Sequence, residues 1–135
     1  MSVIKIKKAL ERNLNSMSPV LPIAFEGVSF TPPEGEMYQS IQFRFETPDD
    51  RVISKDYHGE RLTVQIAIIG INGFGANDVL ERAEAVREQF KKGTVLIEDG
   101  VTVRILYTPQ ITGVAPAQDR LVCPILVSAI AEVPS

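Results

Sequence analysis

Residues 61–69, Arg-Leu-Thr-Val-Gln-Ile-Ala-Ile-Ile, contain the pattern that decides the fold. Every second side chain is apolar, which is the two-residue period of a β-strand. The other face also becomes apolar toward Ile69, so we predict that this strand lies in the centre of its sheet. The alternating apolar positions are Leu62, Val64, Ile66 and Ile68.

A glycine-rich link at residues 70–75 follows this strand, and a helix is predicted after it at residues 77–92. Its apolar side chains recur at spacings of three and four, which places them on one helix face. Asn77 is a favoured N-cap, and Gly93 fits the position after a helix. The apolar stripe consists of Val79, Ala83, Val86 and Phe90, widened by Leu80.

Further elements are predicted on both sides of this strand–helix unit. Residues 2–15 have the spacing of a second amphipathic helix, and Pro19 follows it. Asp99-Gly100 is a hairpin signal between two short strands. Pro124 lies inside the last strand and predicts an edge position or a bulge there. The remaining predicted strands are residues 25–30, 38–46, 94–97, 101–106 and 121–131.

This order of elements predicts an α+β domain that spans residues 1–135. We expect a single layer of mostly antiparallel sheet, with a mixed sheet left open, and two amphipathic helices packed on it. The composition agrees, because 44% hydrophobic and 23% charged residues in a chain of 135 fit one globular domain. Residues 47–60 have no periodicity of their own, and a loop of that length is expected to be functional or mobile.

The composition also argues against several classes of protein. A formal net charge of -3 does not favour a nucleic-acid-binding domain. The single cysteine, Cys123, excludes a disulfide within the chain and is most simply a small core residue. The first residues place lysines inside the apolar pattern, so no signal peptide is predicted, and the apolar runs are too short to span a membrane. We therefore expect no membrane partner, no specific nucleic-acid partner and synthesis in the cytoplasm.

The motifs of catalysis and cofactor binding are not found in the sequence. His58 is the only histidine, and Asp56, Glu60 and Cys123 are the residues considered as its partners. The glycines at 70–75 do not have the order of a nucleotide-binding loop, and no metal-ligand spacing occurs. We predict no catalytic, cofactor-binding or metal-binding residues. A small enzyme that uses His58 remains an alternative.

The first predicted helix is basic, and it raises a second alternative. Lys5, Lys7, Lys8 and Arg12 could contact nucleic acid, whereas Glu11 interrupts the patch and no aromatic residue lies within it. A solvated helix face is the simpler interpretation.

Several segments, taken in order, resemble a known family. The Phe-Thr-Pro-Pro piece at 30–33 is the most specific of them. The others are residues 10–14, 22–28, 34–35 with Tyr38, 59–61, 63–66, 83–87, 90–94, 119–120 and 122–125. Over nearly its whole length the chain resembles the small tail terminator, or tail completion, proteins of long-tailed phages and prophages.

This resemblance implies a structural assembly protein and not an enzyme. Members form a hexameric ring on the end of the tail tube, stop its polymerisation and prepare head–tail joining. The expected partners are further copies of the chain, the tail tube protein and the head–tail connector protein. The expected location is the host cytoplasm during assembly and then the virion tail. A head–tail connector of the phage neck is the alternative within phage assembly.

Two segments are predicted to make the assembly contacts. The 47–60 loop contributes Arg51, Lys55, Tyr57 and His58 as interface candidates. The 121–131 strand, if it lies at an edge, could pair with the sheet of a neighbouring subunit.

Overall fold

The structure is a computed structural model that describes residues 2–47, 57–73 and 75–134. Within these residues the chain forms two helices and one sheet of eight strands, which confirms the α+β class with a larger sheet than expected. The helices are α1, Ser2–Asn15, and α2, Asn77–Gln89. The strands are β1, Ile23–Ala24; β2, Tyr38–Phe45; β3, Tyr57–Ile71; β4, Val95–Glu98; β5, Val101–Ile105; β6, Gln110–Ile111; β7, Ala115–Ala117; and β8, Arg120–Pro134.

The sheet is mixed and has the strand order β1-β2-β3-β8-β5-β4. The short strands β6 and β7 also pair with β8, on the side opposite β3. The pairing of β1 with β2 is parallel, and every other described pairing is antiparallel. The mostly antiparallel, mixed arrangement follows from this topology.

Strand β3 is the predicted central strand, and its position is confirmed. It lies between β2 and β8 and pairs with β8 over fifteen residues, from Tyr57 opposite Pro134 to Ile71 opposite Arg120. The strand is longer than the 61–69 segment that its alternation predicts. Residues 57–60 belong to it because β8 extends far enough to pair with them.

The prediction that the last strand lies at an edge is wrong, because β8 is central. In a β-strand the N–H and C=O of one residue point to the same side. The Pro124 carbonyl accepts hydrogen bonds from the Thr112 N–H at 3.1 Å and the Thr112 hydroxyl at 2.9 Å. The Pro124 nitrogen, which has no hydrogen to donate, therefore faces the gap between β6 and β7. The ladder between β8 and β3 is intact on the other side.

Both helices pack on one face of the sheet, and the core lies between them and the strands. On β3 and β8 the buried side chains alternate along the strand, as the sequence pattern predicts. The α2 stripe is confirmed, with Val79, Ala83, Val86 and Phe90 all buried. The buried strand residues on this face include Ile41, Leu62, Val64, Ile66, Ile68, Cys123, Ile125, Val127, Ala129, Val103 and Ile105.

Several element boundaries differ from the sequence prediction. Helix α2 ends at Gln89, since Phe90 is its C-cap and the chain then turns to pair with β5, where the Gly93 N–H bonds the Ile105 carbonyl. Ala76, and not Asn77, is its N-cap. The short strand predicted at 25–30 is instead β1 at Ile23–Ala24, held by β2. The predicted bounds of α1 are confirmed.

Glycine is required at two positions, one in a turn and one in a strand. Asp99 and Gly100 join β4 to β5 with φ values of 46° and 85°, which is the left-handed pair of a two-residue hairpin turn and confirms that prediction. Gly70 lies in β3 beside the first turn of α2, where a Cβ atom would collide with the Val79 side chain. Glycine at this position therefore sets how closely α2 approaches the sheet.

Polar side chains connect the helices to the rest of the fold. Arg82 of α2 is buried, donates to the Pro19 carbonyl at 2.9 Å and lies 3.5 Å from Gln39 Oε1. Burial lowers the pKa of the Arg82 guanidinium. Asn13 and Gln89 join the two helices, because each side-chain amide donates to the main-chain carbonyl of the other residue. Arg82 thus ties the middle of α2 to Pro19 and to β2, and the Asn13–Gln89 bonds join the C-terminal ends of the two helices.

We predict that Gly70→Ala destabilises the protein by about 1–3 kcal/mol, the usual cost of an added methyl group in a packed core. The added Cβ must displace Val79 or move α2 away from β3. The measurement is the free energy of unfolding in denaturant. Gln65→Ala is the matched control, since Gln65 lies on the same strand with an exposed side chain, and it is expected to stay within about 0.5 kcal/mol of the parent. Equal stability of the two variants would contradict the close packing of α2 at Gly70.

Candidate assembly site

The described residues at the end of the predicted contact segment, 57–60, form the start of β3. Arg51 and Lys55 lie outside the described residues. Tyr57 and His58 are the first two residues of β3, so the 47–60 loop predicted from the sequence ends earlier than expected. His58 stands opposite Val133 of β8. The main chain there is held by the ladder, which orients any contact made from this end of the sheet.

His58 is paired with Glu60 and is distant from Cys123. Its Nε2 lies 2.8 Å from Glu60 Oε1, and its side chain is about one quarter exposed. Cys123 stands opposite Ile68, ten ladder positions away, which is on the order of 30 Å along a strand. A Cys–His arrangement is therefore excluded by the register. Of the partners considered from the sequence, Glu60 contacts His58, Cys123 does not, and Asp56 lies outside the described residues.

The remaining candidates for chemistry belong to the core or to turns. Burial raises the pKa of the Cys123 thiol, so the neutral thiol is favoured. Within residues 2–47, 57–73 and 75–134, no cluster of three or more His, Cys, Asp or Glu side chains has the arrangement to hold a metal ion. Gly70 belongs to β3 and packs against α2, so the glycine-rich segment begins as part of the strand.

The basic side chains of α1 are mostly paired within the chain. Lys5 Nζ lies 3.1 Å from Asp99, and Arg12 lies 2.9 Å from Glu98. Lys7 lies 3.5 Å from Glu26, and its ammonium group is 5.5 Å from the centre of the Phe43 ring. These pairs hold α1 across the sheet and leave Lys8 as the basic residue of this patch without a partner among the described residues.

The Phe-Thr-Pro-Pro segment is held against the sheet by Arg120 of β8. Its guanidinium donates to the Pro33 carbonyl and to the Glu36 carbonyl, both at 2.7 Å. The same group lies 5.4 Å from the centre of the Tyr38 ring, and Phe30 packs on Tyr38 with ring centres 5.1 Å apart. The sequence indicated that residues 30–33 and 120 are distinctive, and the structure shows that they form one contact.

The two lateral edges of the sheet differ in how they are protected. At one edge, β1 covers the start of β2, and the Glu26 carboxylate accepts a hydrogen bond from the Phe43 N–H at 3.0 Å. At the other edge, β4 pairs only with β5 among the described strands. Val95 and Ile97 of β4 are 45% and 73% exposed. An edge strand with exposed apolar side chains is a typical site for pairing or docking.

The open edge at β4 is thus the described strand edge with exposed apolar side chains, and comparison with known proteins identifies the family. A family model described as phage tail terminator protein matches residues 5–128.

The chain belongs to the phage tail terminator family.

The match begins within α1 at Lys5 and ends within β8 at Ser128, and it includes α2 and strands β1 to β7 in full. The family resemblance inferred from the sequence is therefore confirmed. The family is a structural one, and membership implies interaction with other tail proteins. No curated protein sequence matches the chain.

The fold has a solved relative. One solved structure superposes with a TM-score of 0.80 at 20% sequence identity. The alignment covers 98% of this chain and 97% of the other chain. At this identity the likeness shows a shared fold. Within the described part of the chain, neither helix has the length and apolar character needed to cross a membrane.

Proposed function

We propose that this protein forms a hexameric ring on the end of the finished tail tube, stops tube polymerisation and prepares the tail for joining to the head. The observation that carries the proposal is the family match over residues 5–128, which spans the fold rather than a single motif. The partners are further copies of the chain, the tail tube protein and the head–tail connector protein. Assembly takes place in the host cytoplasm, after which the ring is part of the virion tail.

The arrangement of the sheet supports a ring. A closed ring needs two different surfaces on each subunit, because each copy contacts one neighbour in front and another behind. The protected edge at β1 and β2 and the open edge at β4 lie at opposite ends of the strand order. The sheet therefore has one open edge and not two, so a contact made by β4 would join it to a different surface of the next copy.

The charge distribution supports a role without specific nucleic-acid binding. The chain has a formal net charge of -3, and the basic side chains of α1 at Lys5, Lys7 and Arg12 each have a carboxylate partner. Nonspecific affinity for nucleic acid depends on free cationic groups that neutralise phosphates. A mildly acidic ring would let DNA pass without retaining it.

The contact with the tube is assigned to residues 47–60. Its interface candidates are Arg51, Lys55, Tyr57 and His58. Support comes from the end of the segment that the structure describes, where the ladder with β8 holds the backbone and His58 is partly exposed.

The function is tested by deleting the gene from the parent phage or prophage and imaging the particles by negative-stain electron microscopy. We predict abnormally long tails without heads, because tube polymerisation is no longer stopped. Complementation with the intact gene should restore a single tail length. Tails of normal length that fail to join heads would assign the protein to the neck as a connector. Normal infectious particles would reject an assembly role at this step.

We predict that deletion of residues 50–56 preserves the fold and abolishes tube capping, since the contact candidates Arg51 and Lys55 are removed while β2 and β3 remain. The measurement combines thermal unfolding of the purified variant with tail length in the complemented deletion phage. A variant with Gly and Ser residues of equal length in place of 50–56 is the control for chain length, and it should fail as well. Full capping by either variant would show that this segment is not the contact.

A further inference from the structure

We propose that neighbouring subunits of the ring contact each other through the open edge strand β4 of one copy and an apolar groove beside the N-terminus of α2 of the next. This inference rests on the proposed ring and names the surfaces that close it. The occupant of the groove is a second copy of this chain.

The groove lies between the end of β3 and the start of α2. It has a volume of about 260 Å³ and is lined by Met37, Ile71, Gly75, Asp78 and Val79. Small-molecule sites usually enclose ~300–1,000 Å³ and carry several convergent polar groups. This groove is smaller and mainly apolar, with one carboxylate at its wall, so its size and lining fit aliphatic side chains.

The strand β4 presents such side chains on an unprotected edge. The Ile105 N–H bonds the Thr94 carbonyl, and by the alternation of an antiparallel pair the backbone groups of Val95 and Ile97 point away from β5. The same two residues have the exposed side chains. Val95–Glu98 is a short edge strand of four residues, and it has no lysine, proline or bulge, which are other common protections of an edge. Its chemistry is that of a strand that docks on another protein surface.

The charges that lack an ion-pair partner differ in sign between the two surfaces. Asp78 lines the groove, and three further exposed carboxylates belong to residues next to its lining. Glu36 precedes Met37, and Glu81 is three residues after Asp78 on α2. Asp119 accepts a backbone hydrogen bond from Asn72, the residue after Ile71. None of these four acids has an ion-pair partner among the described residues. On the side of β4, Lys92 precedes the strand and has no ion-pair partner among the described residues, whereas Lys91 lies 3.4 Å from Glu88 and Arg104 lies 3.9 Å from Glu132. Facing surfaces of opposite charge favour the contact and set its orientation.

The two surfaces lie at opposite ends of α2, which has thirteen residues. A helix of that length extends ~20 Å, so one copy does not place its own β4 in its own groove. The contact is therefore between copies and joins two different surfaces. A head-to-tail contact of this kind is what closure by rotation into a ring requires.

We predict that Ile97→Glu reduces capping of tail tubes about tenfold or more, as loss of a central interface side chain typically does. The new carboxylate would face the apolar groove and its acidic rim. Ile97 is 73% exposed, so the fold should be retained, and thermal unfolding checks this. Val28→Glu is the matched control, because Val28 is 62% exposed and follows β1 at the other edge of the sheet; it should cap normally.

Lys92→Glu provides a second variant that leaves the apolar contact unchanged. It should weaken capping, because position 92 of one copy would then repel Asp78 of the next. The added change Asp78→Lys in the same chain should restore capping, because the glutamate at 92 of one copy would then face the lysine at 78 of the next. Normal capping by both Ile97→Glu and Lys92→Glu would overturn the proposed interface.

Cross-linking gives a readout that does not depend on variants. Tails assembled from a mixture of isotopically light and heavy protein are treated with a carbodiimide, which joins lysine to carboxylate with no added spacer. Mixed-isotope links from Lys91 or Lys92 to Asp78 or Glu81 are expected. Links from these lysines exclusively to other carboxylates would contradict the proposal.

The wild-type protein separates failure of this interface from failure of the ring. Wild-type capping together with normal capping by Ile97→Glu would reject the interface and leave the proposed function in place. Absence of capping by the wild-type protein would reject both.

Discussion

The fifteen-residue pairing of β3 with β8 is the interaction on which the rest of the structure depends. It joins residues 57–71 to residues 120–134, and every other strand attaches to one of these two, directly or through a neighbour. The buried side chains of both strands alternate in phase, which creates the apolar face that α1 and α2 cover. A register shift of one residue in either strand would turn the buried row of that strand to the opposite face, so this ladder is strongly specified.

The same ladder determines which surfaces remain for assembly. Because both helices pack on one face, the potential contact surfaces are the strand edges, the ends of the sheet and the ends of the helices. Internal ion pairs use most of the α1 cations, and the register separates His58 from Cys123, so the described part of the chain contains no constellation that suggests catalysis. The polar groups of this protein mostly hold elements in place. The proposed function therefore depends on which surfaces contact other proteins and not on a reaction.

Local patterns predicted the elements well where the cause of the structure is local. The alternation at 61–69, the bounds of α1 and the Asp99-Gly100 turn are of this kind, since propensity and backbone conformation act within a few residues. The predicted edge position of β8 is wrong because proline disfavours a central strand only where its nitrogen must donate to a neighbouring strand. The Pro124 nitrogen, which has no hydrogen, faces the gap between β6 and β7, and this gap depends on distant parts of the chain. His58 was expected in a loop for a related reason: its strand pairing depends on Val133, which is 75 positions away in the chain. Of the interface candidates, Arg51 and Lys55 lie outside the described residues. The groove beside α2 and the open edge at β4 could not be predicted, because both depend on the order of strands in the sheet.

The central claim is that the protein forms a ring at the end of the tail tube. The most direct measurement is a cryo-electron microscopy reconstruction of the head-proximal end of tails from the parent phage. The account predicts one closed six-fold ring per tail, stacked on the last tube layer, with density that fits two helices on a curved sheet in each subunit. Density of this fold repeated along the tube, or located at the distal tip, would contradict it.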